Sequence, residues 1–376
     1  MPQPSFPIDQ RPCLPARTDG PPRLYSLAEL LLDAHRITDL ALPLAPATSA
    51  LLRMLAVMAA RITGLDNPDL SLADWNTHRG RLLREGRGFA PAAVHRYLAR
   101  CHLDLFDPHL PLLQDPRLAT QCPHPSGINT LILGRPAGNN LVWLSPHTDT
   151  DPRPVPVPTA LWHLLIQHAY GPAGQCTPRT LGATVIGRAS AGPLRSTLSF
   201  HPHGTTLFET LLLHQSPYRG TGQSVPDRCP WEEAALPDPA AVPPPVTWPG
   251  RLLAGRSRHA VLLVPDQDGT TVTDAYLTWA TQHPRYPATD PYLIIHTDPA
   301  KPAHRRDTPR RADAARAVWR DLDALLLADD ESGTVRRPAV FDTLNDLPDP
   351  ARRRTTGRRP RPGRQRSLAA HPERTR

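Results

Sequence analysis

From Ser126 to Asp151 the chain shows no apolar period. It reads Ser-Gly-Ile-Asn-Thr at one end, Arg-Pro-Ala-Gly-Asn-Asn in the middle and His-Thr-Asp-Thr-Asp at the other. Glycine, asparagine and proline at this density exclude a long helix or a buried strand, so the stretch divides the fold into parts that must pack around it. A loop of this length inside a compact chain is either functional or disordered. Leu131, Ile132, Leu133 and Trp143 argue for order, because disordered segments are poor in large apolar residues. The expectation is an ordered loop that presents something to a partner.

The flanks carry clearer periods. Phe6–Asp9 and Leu24–Tyr25 read as short strands. Ser26-Leu-Ala-Glu29 is a capping box opening a helix to about Arg36. Ser49–Thr63, Ser71–Leu83 and Pro91–His102 are further helices, so residues 26–103 form a helical part. A mixed part follows over 104–215. In it, a helix from about Thr159 to Tyr170 runs into the glycine turn Gly171-Pro-Ala-Gly-Gln175. Ser196–Phe200 reads as a strand, and Thr206-Leu-Phe-Glu209 as a second capping box, with its helix to about His214. Residues 216–250 are proline-rich. Leu252–Val264 and Thr270–Trp279 read as strands around the turn Asp266-Gln-Asp-Gly269, with Pro291–His296 a further strand. Arg310–Ala328 has the pattern of an amphipathic helix with Ala314, Ala317, Val318, Leu322, Leu325 and Leu326 inward. The class is α+β: irregular, with helices and small antiparallel sheets.

The charge is unevenly placed. Residues 351–376 hold ten arginines against one acid, Glu373, whereas the other 350 residues carry 33 bases and 34 acids. The body is balanced, and nucleic-acid affinity there must come from local clusters. Candidate clusters are Arg79, Arg81, Arg84 and Arg87; Arg251, Arg256 and Arg258; and Arg305, Arg306, Arg310 and Arg311. Each is more often a solvated or ion-paired surface than a phosphate site. Five scattered cysteines suit reduced thiols in a cytoplasm, and no apolar run or leader pattern points to a membrane.

Catalytic patterns are weak. No Cys-x-x-Cys supports zinc, and Cys122-Pro-His124 and His201-Pro-His203 have no evident second pair. No nucleophile elbow, Walker loop or dinucleotide fingerprint occurs. Asp149 and Asp151 could serve a metal-dependent hydrolase or nuclease, although Asp-Thr-Asp in a loop is more often turn chemistry. An arginine-tailed RNA-binding protein is the other alternative.

Taken in order, several segments resemble the CasA family, the large subunit of the type I-E CRISPR surveillance complex Cascade. These are Phe6-Pro-Ile-Asp9; Leu105-Phe-Asp-Pro-His-Leu-Pro-Leu-Leu-Gln-Asp-Pro116; Gly127-Ile-Asn-Thr; Arg135-Pro-Ala-Gly-Asn-Asn140; His147-Thr-Asp149; Gly192-Pro193; and Gly204–Leu213. The resemblance runs from about residue 5 to about residue 350. It implies a non-catalytic subunit without cofactor or metal. Such a subunit reads the protospacer-adjacent motif of target double-stranded DNA, aids duplex opening and recruits a helicase–nuclease, while guide pairing reads the sequence. Its partners would be the other Cascade subunits with crRNA. By resemblance, Ile128, Asn129, Thr130, Arg135, Asn139 and Asn140 belong to a loop docking on RNA and the backbone subunit. Gly171, Pro172, Ala173, Gly174 and Gln175 correspond to a glycine loop that enters the minor groove, with Pro172 and Ala173 replacing glycines. The family's glutamine-bearing wedge and C-terminal four-helix bundle have no counterpart here. Arg361-Pro-Gly-Arg364 is what an Asp-Gln-Asp-Gly codon string yields when read one base early. The basic tail, 351–376, is therefore expected to be disordered and out of frame, which sequencing the locus in all three frames tests.

Overall fold

A computed structural model describes residues 3–138, 142, 145–217, 225–284, 289–313, 315, 317–326 and 334–344. Near the N-terminus, β1 (Leu14–Arg17) lies between β2 (Arg23–Tyr25) and β3 (Asp39–Leu40) in an antiparallel sheet. Helix α1 (Leu27–Leu32) falls between β2 and β3 in sequence and has its full capping box. Ser26 Oγ accepts from the Glu29 amide (3.2 Å), and the Glu29 carboxylate accepts from the Ser26 amide (2.8 Å). Phe6–Asp9 is not a strand. Pro7, which has no N–H to extend a ladder, makes one isolated bridge to Asp104 before a turn.

Helix α2 (Ala45–Thr63) forms the centre. It is apolar on nearly every face, carries Pro46 in its first turn and ends at Gly64 in the left-handed region, φ 74°. Its length and hydropathy also meet the requirement for a membrane span, but most of it is buried in this core. Each Leu or Met side chain so buried contributes about 1.5–3 kcal/mol. After it come α3 (Leu72–Glu85), α4 (Pro91–Leu98), the single turns α5 (Leu118–Gln121) and α6 (Ile128–Leu131), β4 (Val155–Pro156) and α7 (Val157–Tyr170). The strands β5 (Gly174–Leu181) and β6 (Thr184–Ala189) form a hairpin, followed by α8 (Leu207–Leu213) and α9 (Gly250–Leu253). Helices α4, α7, α8 and α9 pack around α2. A second sheet pairs β7 (His259–Pro265) and β8 (Thr271–Trp279) antiparallel, with β4 on the far edge of β8. The expected turn between β7 and β8 is tied by Asp266, whose carboxylate accepts from the amides of Thr270 (2.9 Å) and Thr271 (3.2 Å).

Several expectations are corrected. Residues 250–253 form α9 rather than the start of a strand, so β7 begins only at His259. Ser196–Phe200 contributes isolated bridges, Thr197 with Arg311 and Ser199 with Leu293. Strand β9 (Ile295–Thr297) is shorter than Pro291–His296 predicts. The capping box at α8 is half made: Thr206 caps the Glu209 amide, but the Glu209 carboxylate turns to the amide of Thr205 (2.8 Å). The largest change is at 310–328. After α10 (Ala303–Arg306), β10 (Asp307–Pro309) pairs with β9, and the chain stays extended to Ala312, whose amide donates to Ser196 O (2.8 Å). Among the described residues of this stretch only a 3-10 turn, Val318–Asp321, and α11 (Leu322–Leu326) are helical, before β11 (Val335–Arg336) joins the other edge of β9. Ala317 and Leu322 are exposed, not inward. Backbone bonds from Arg310 to Ile294 O and from Ala312 to Ser196 O, the Arg311–Thr197 bridge and the Arg310–Asp321 ion pair (2.9 Å) override a helical pattern that is intrinsically weak beside prolines.

Candidate nucleic-acid interface

The loop that begins at Ser126 is ordered from its first residue. The Ser126 amide donates to Ala275 O (2.8 Å), and its hydroxyl accepts from the Leu277 amide (2.8 Å), so the loop leaves directly from β8. Gly127 takes φ 88°, which turns the chain into α6. Sequence pattern alone gave no helix here. The turn forms because Ile128 and Leu131 are fully buried against β8 and α7, and Thr130 Oγ1 closes back onto Ser126 O (2.7 Å).

Asn129 is buried beneath the loop and ties its two arms together. Its amide nitrogen donates to Thr148 O (2.9 Å) and Asp149 Oδ1 (3.1 Å), and its carbonyl oxygen accepts from Arg135 Nη1 (3.3 Å). Arg135 also donates to Arg153 O (2.8 Å), and Asp149 Oδ2 accepts from the Gly138 amide (2.6 Å). The carboxylate of Asp149 is thus engaged in holding the loop. Asp151 is exposed and pairs only loosely with Arg153 (3.6 Å). Among the described residues no group of three His, Cys, Asp or Glu side chains could hold a metal ion. Asn139 and Asn140 lie outside the described residues.

Helix α7 joins this loop to the glycine turn. His163, Gln167 and Gly171 recur every four residues and so share one face. His163 Nδ1 accepts from the Leu133 amide (3.0 Å). Burial, assisted by the charge of Arg135, pushes its pKa down to about 4, which keeps the ring a neutral acceptor. Gln167 donates to the carbonyls of Thr130 (3.2 Å) and Leu131 (3.0 Å), while its own backbone carbonyl accepts from the Gly171 amide (3.1 Å). One residue therefore holds both candidate segments.

Gly171 is buried, and its carbonyl accepts from the Gly192 amide (2.8 Å). A Cβ at this position would lie 2.5 Å from Gln167 O and 2.6 Å from the His259 ring. This glycine is required by packing. His259 Nε2 is 2.9 Å from Pro172 O, which fixes where the turn leaves the core. Pro172, Ala173 and Gln175 are exposed and Gly174 is half-buried at φ 140°, with open space where a Cβ would sit. Gly174 and Gln175 are already in β5. The β5–β6 register slips between Gln175 and Arg179, and the irregular part faces the loop: Thr177 Oγ1 is 2.6 Å from Ser126 Oγ, and Thr177 O accepts from Thr278 Oγ1 (2.6 Å). Fully buried Arg179 anchors the hairpin, donating to Asp115 (2.6 Å) and Gln121 (2.8 Å). Burial would raise the pKa of Asp115, but Arg117 and Arg179 more than offset it and hold the carboxyl below its usual range.

Known proteins decide what this arrangement belongs to. The family model described as CRISPR-associated protein Cse1 matches residues 10–360. The chain belongs to the Cse1 family. Two similar solved structures are chains of a CRISPR RNA-guided surveillance complex. One, in a pre-nicking state, is 42% identical with a TM-score of 0.82, over 90% of this chain and 66% of that chain. The other is 43% identical with a TM-score of 0.83, over 93% and 70%. The CasA (Cse1) of Thermus thermophilus shares the fold at 23% identity and a TM-score of 0.69, over 91% and 65%. This Cse1-family chain spans about two thirds of the length of these solved chains. A comparison with curated proteins finds no match.

Within this Cse1 fold, Ile128, Asn129, Thr130 and Arg135 come together as one braced loop, and exposed Pro172 and Ala173 lead into half-buried Gly174 and exposed Gln175 at the start of β5. Sequence reasoning missed His163, Gln167 and Thr177. The first two were detectable as polar residues four apart on an otherwise apolar helix. Each arginine cluster loses a member to burial or ion pairing, while Arg81, Arg84, Arg87, Arg305, Arg306 and Arg311 stay exposed. Arg79 is buried over the Trp75 ring (4.6 Å), Arg258 is buried and donates to His283 O (2.5 Å), and Arg310 pairs with Asp321.

Proposed function

We propose that this chain is the large subunit of a type I-E CRISPR RNA-guided surveillance complex, acting in the cytoplasm in defence against foreign DNA and performing no catalysis itself. The carrying observation is the 42–43% identity, over nine tenths of the chain, to chains of such complexes. The braced loop at 128–140 docks on the crRNA-bearing subunits. The turn at Pro172–Gln175 tests the protospacer-adjacent motif from the minor groove, where a segment with little side-chain bulk can approach the guanine amino group. Duplex opening and recruitment of the helicase–nuclease follow from that engagement. A hydrolase built on Asp149 and Asp151 is disfavoured by the bonds that engage Asp149.

Reconstitution with the other Cascade subunits and a guide RNA tests this reading. The full chain is expected to co-purify with the complex, and failure to do so removes the subunit assignment. Gly174→Val puts a branched side chain at φ 140° in the exposed turn. It is expected to leave assembly intact and to weaken motif-dependent duplex binding by about tenfold, equivalent to about 1.4 kcal/mol. Wild-type binding by this variant would remove the motif-reading role. Deletion of residues 352–376 is expected to preserve docking; total loss of nucleic-acid binding would transfer the function to the arginine-rich tail.

A further inference from the structure

The glycine turn runs directly into the β5–β6 hairpin, and the register of that hairpin sets one side chain beside it. Gly174 pairs with Ala189 and Gln175 with Arg188, both before the register slips. Residues directly opposite in an antiparallel pair share a face, with Cβ atoms about 5 Å apart. Gln175 and Arg188 are exposed, whereas Ala189, on the other face, is buried. The Arg188 side chain therefore stands on the solvent face next to the turn.

Its backbone is held and its side chain is not. Gln282 Nε2 donates to Arg188 O (3.1 Å), and Trp279 Nε1 donates to Ile186 O (2.8 Å) on the same strand. Among the described residues the Arg188 guanidinium makes no ion pair or hydrogen bond. The hairpin's other arginine, Arg179, is turned inward onto Asp115.

The surroundings are depleted in negative charge. Pro152–Phe208 holds no aspartate or glutamate, where 35 acids in 376 residues would place about five. Thr278, Trp279 and Gln282, which bond to the hairpin from β8 and beyond, are also uncharged. At physiological salt, charges beyond about 8 Å are largely screened, so this local composition decides what the face attracts. A lone exposed arginine is commonplace. The register that sets Arg188 beside the turn and the missing acids around it distinguish this one.

We propose that Arg188 contacts a backbone phosphate of the duplex whose minor groove the turn enters. The inference rests on the motif-reading role given to that turn. The B-form minor groove is about 6 Å wide, so a segment inside it has the phosphates of one wall within reach of a neighbouring arginine. A guanidinium fits a phosphate with two parallel N–H donors. Such a contact fixes register and orientation and carries no sequence information. The work is divided: Arg188 holds the duplex, and the turn tests it.

The test uses the full chain reconstituted with the other Cascade subunits and a guide RNA. The probes are duplexes that share a guide-matched target and differ only in the base pairs flanking it, titrated over a range of salt. Arg188→Gln is expected to weaken binding of every duplex by one common factor and to leave their order unchanged. The slope of log K against log salt is expected to become shallower by about 0.9, the value for one lost phosphate contact. Arg188→Lys is expected to restore the slope, because it returns the charge without the planar fork. A wild-type slope in Arg188→Gln overturns the inference. So does a loss confined to some flanking sequences, which would make Arg188 a base reader, or a lysine variant that behaves like the glutamine one. Discrimination among flanks by the wild type is read separately. Its absence removes the motif-reading role and this inference with it, whereas discrimination with an unchanged Arg188→Gln slope overturns this inference alone.

Discussion

His163 shows how one side chain couples burial, protonation and loop placement. Its ring accepts from the Leu133 amide only while neutral, and burial with the nearby Arg135 charge holds its pKa at about 4. The unfolded chain, with an ordinary histidine pKa near 6.5, binds more protons between these values. Stability from this group is therefore complete above about pH 6.5 and is lost as pH falls towards 4, to a limit of roughly 3 kcal/mol. His168 and His214, also held at about 4 by burial, and His201, held lower, act in the same direction. Denaturant midpoints measured across this range are expected to fall with acidification. His163→Gln, which can still accept from Leu133, is expected to flatten the slope, and an unchanged slope would show that His163 does not contribute. None of this was legible in the sequence, because a histidine reveals its environment only once the groups around it are placed.

The critical element is α7. Its apolar face packs on α2, and its polar face carries Gln167, which links α6 to the glycine turn. Gln167→Leu keeps the volume and removes two donors from buried carbonyls. It is expected to cost about 1–3 kcal/mol and to speed amide exchange at residues 128–138 more than elsewhere. Uniform acceleration along the chain would show a general stability loss rather than release of the loop. Long periodic helices and their caps were readable: α2, α7 and the Ser26 box follow directly from spacing and donor chemistry. The turns α5 and α6 and the hairpin β5–β6 were not, because too few residues repeat for a period to emerge. Residues 310–328 misled for the opposite reason: a helical pattern was present, and extended backbone pairing of Arg310–Ala312 with Ile294, Ser196 and Thr197 overrode it.

Across the whole molecule, residues far apart in the chain are joined by a few buried charges. Arg53 and Asp290 connect the central helix to a segment 237 residues away, with both side chains almost fully buried. Asp290→Asn removes the counter-charge and is expected to destabilise the protein by about 3–5 kcal/mol, read as a lower denaturant midpoint at an unchanged slope. A loss below about 1 kcal/mol would show that the pair is not a structural link. A second such pair, Arg179 with Asp115, fastens the hairpin to the strand core in the same way.

The amino-acid sequence by itself determined the α+β class, the main helices, the β7–β8 hairpin, the family and the two segments that form the candidate interface, because local periods, caps and ordered motifs are properties of neighbouring residues. Only the tertiary structure decided that those segments share a brace in Gln167, that Asp149 is a loop tie, and that Gly171 serves packing while Pro172, Ala173 and Gln175 face solvent. It also decided which arginines leave the surface for the core. Those outcomes depend on long-range contacts, whose partners lie tens to hundreds of residues apart and leave no periodic trace in the chain.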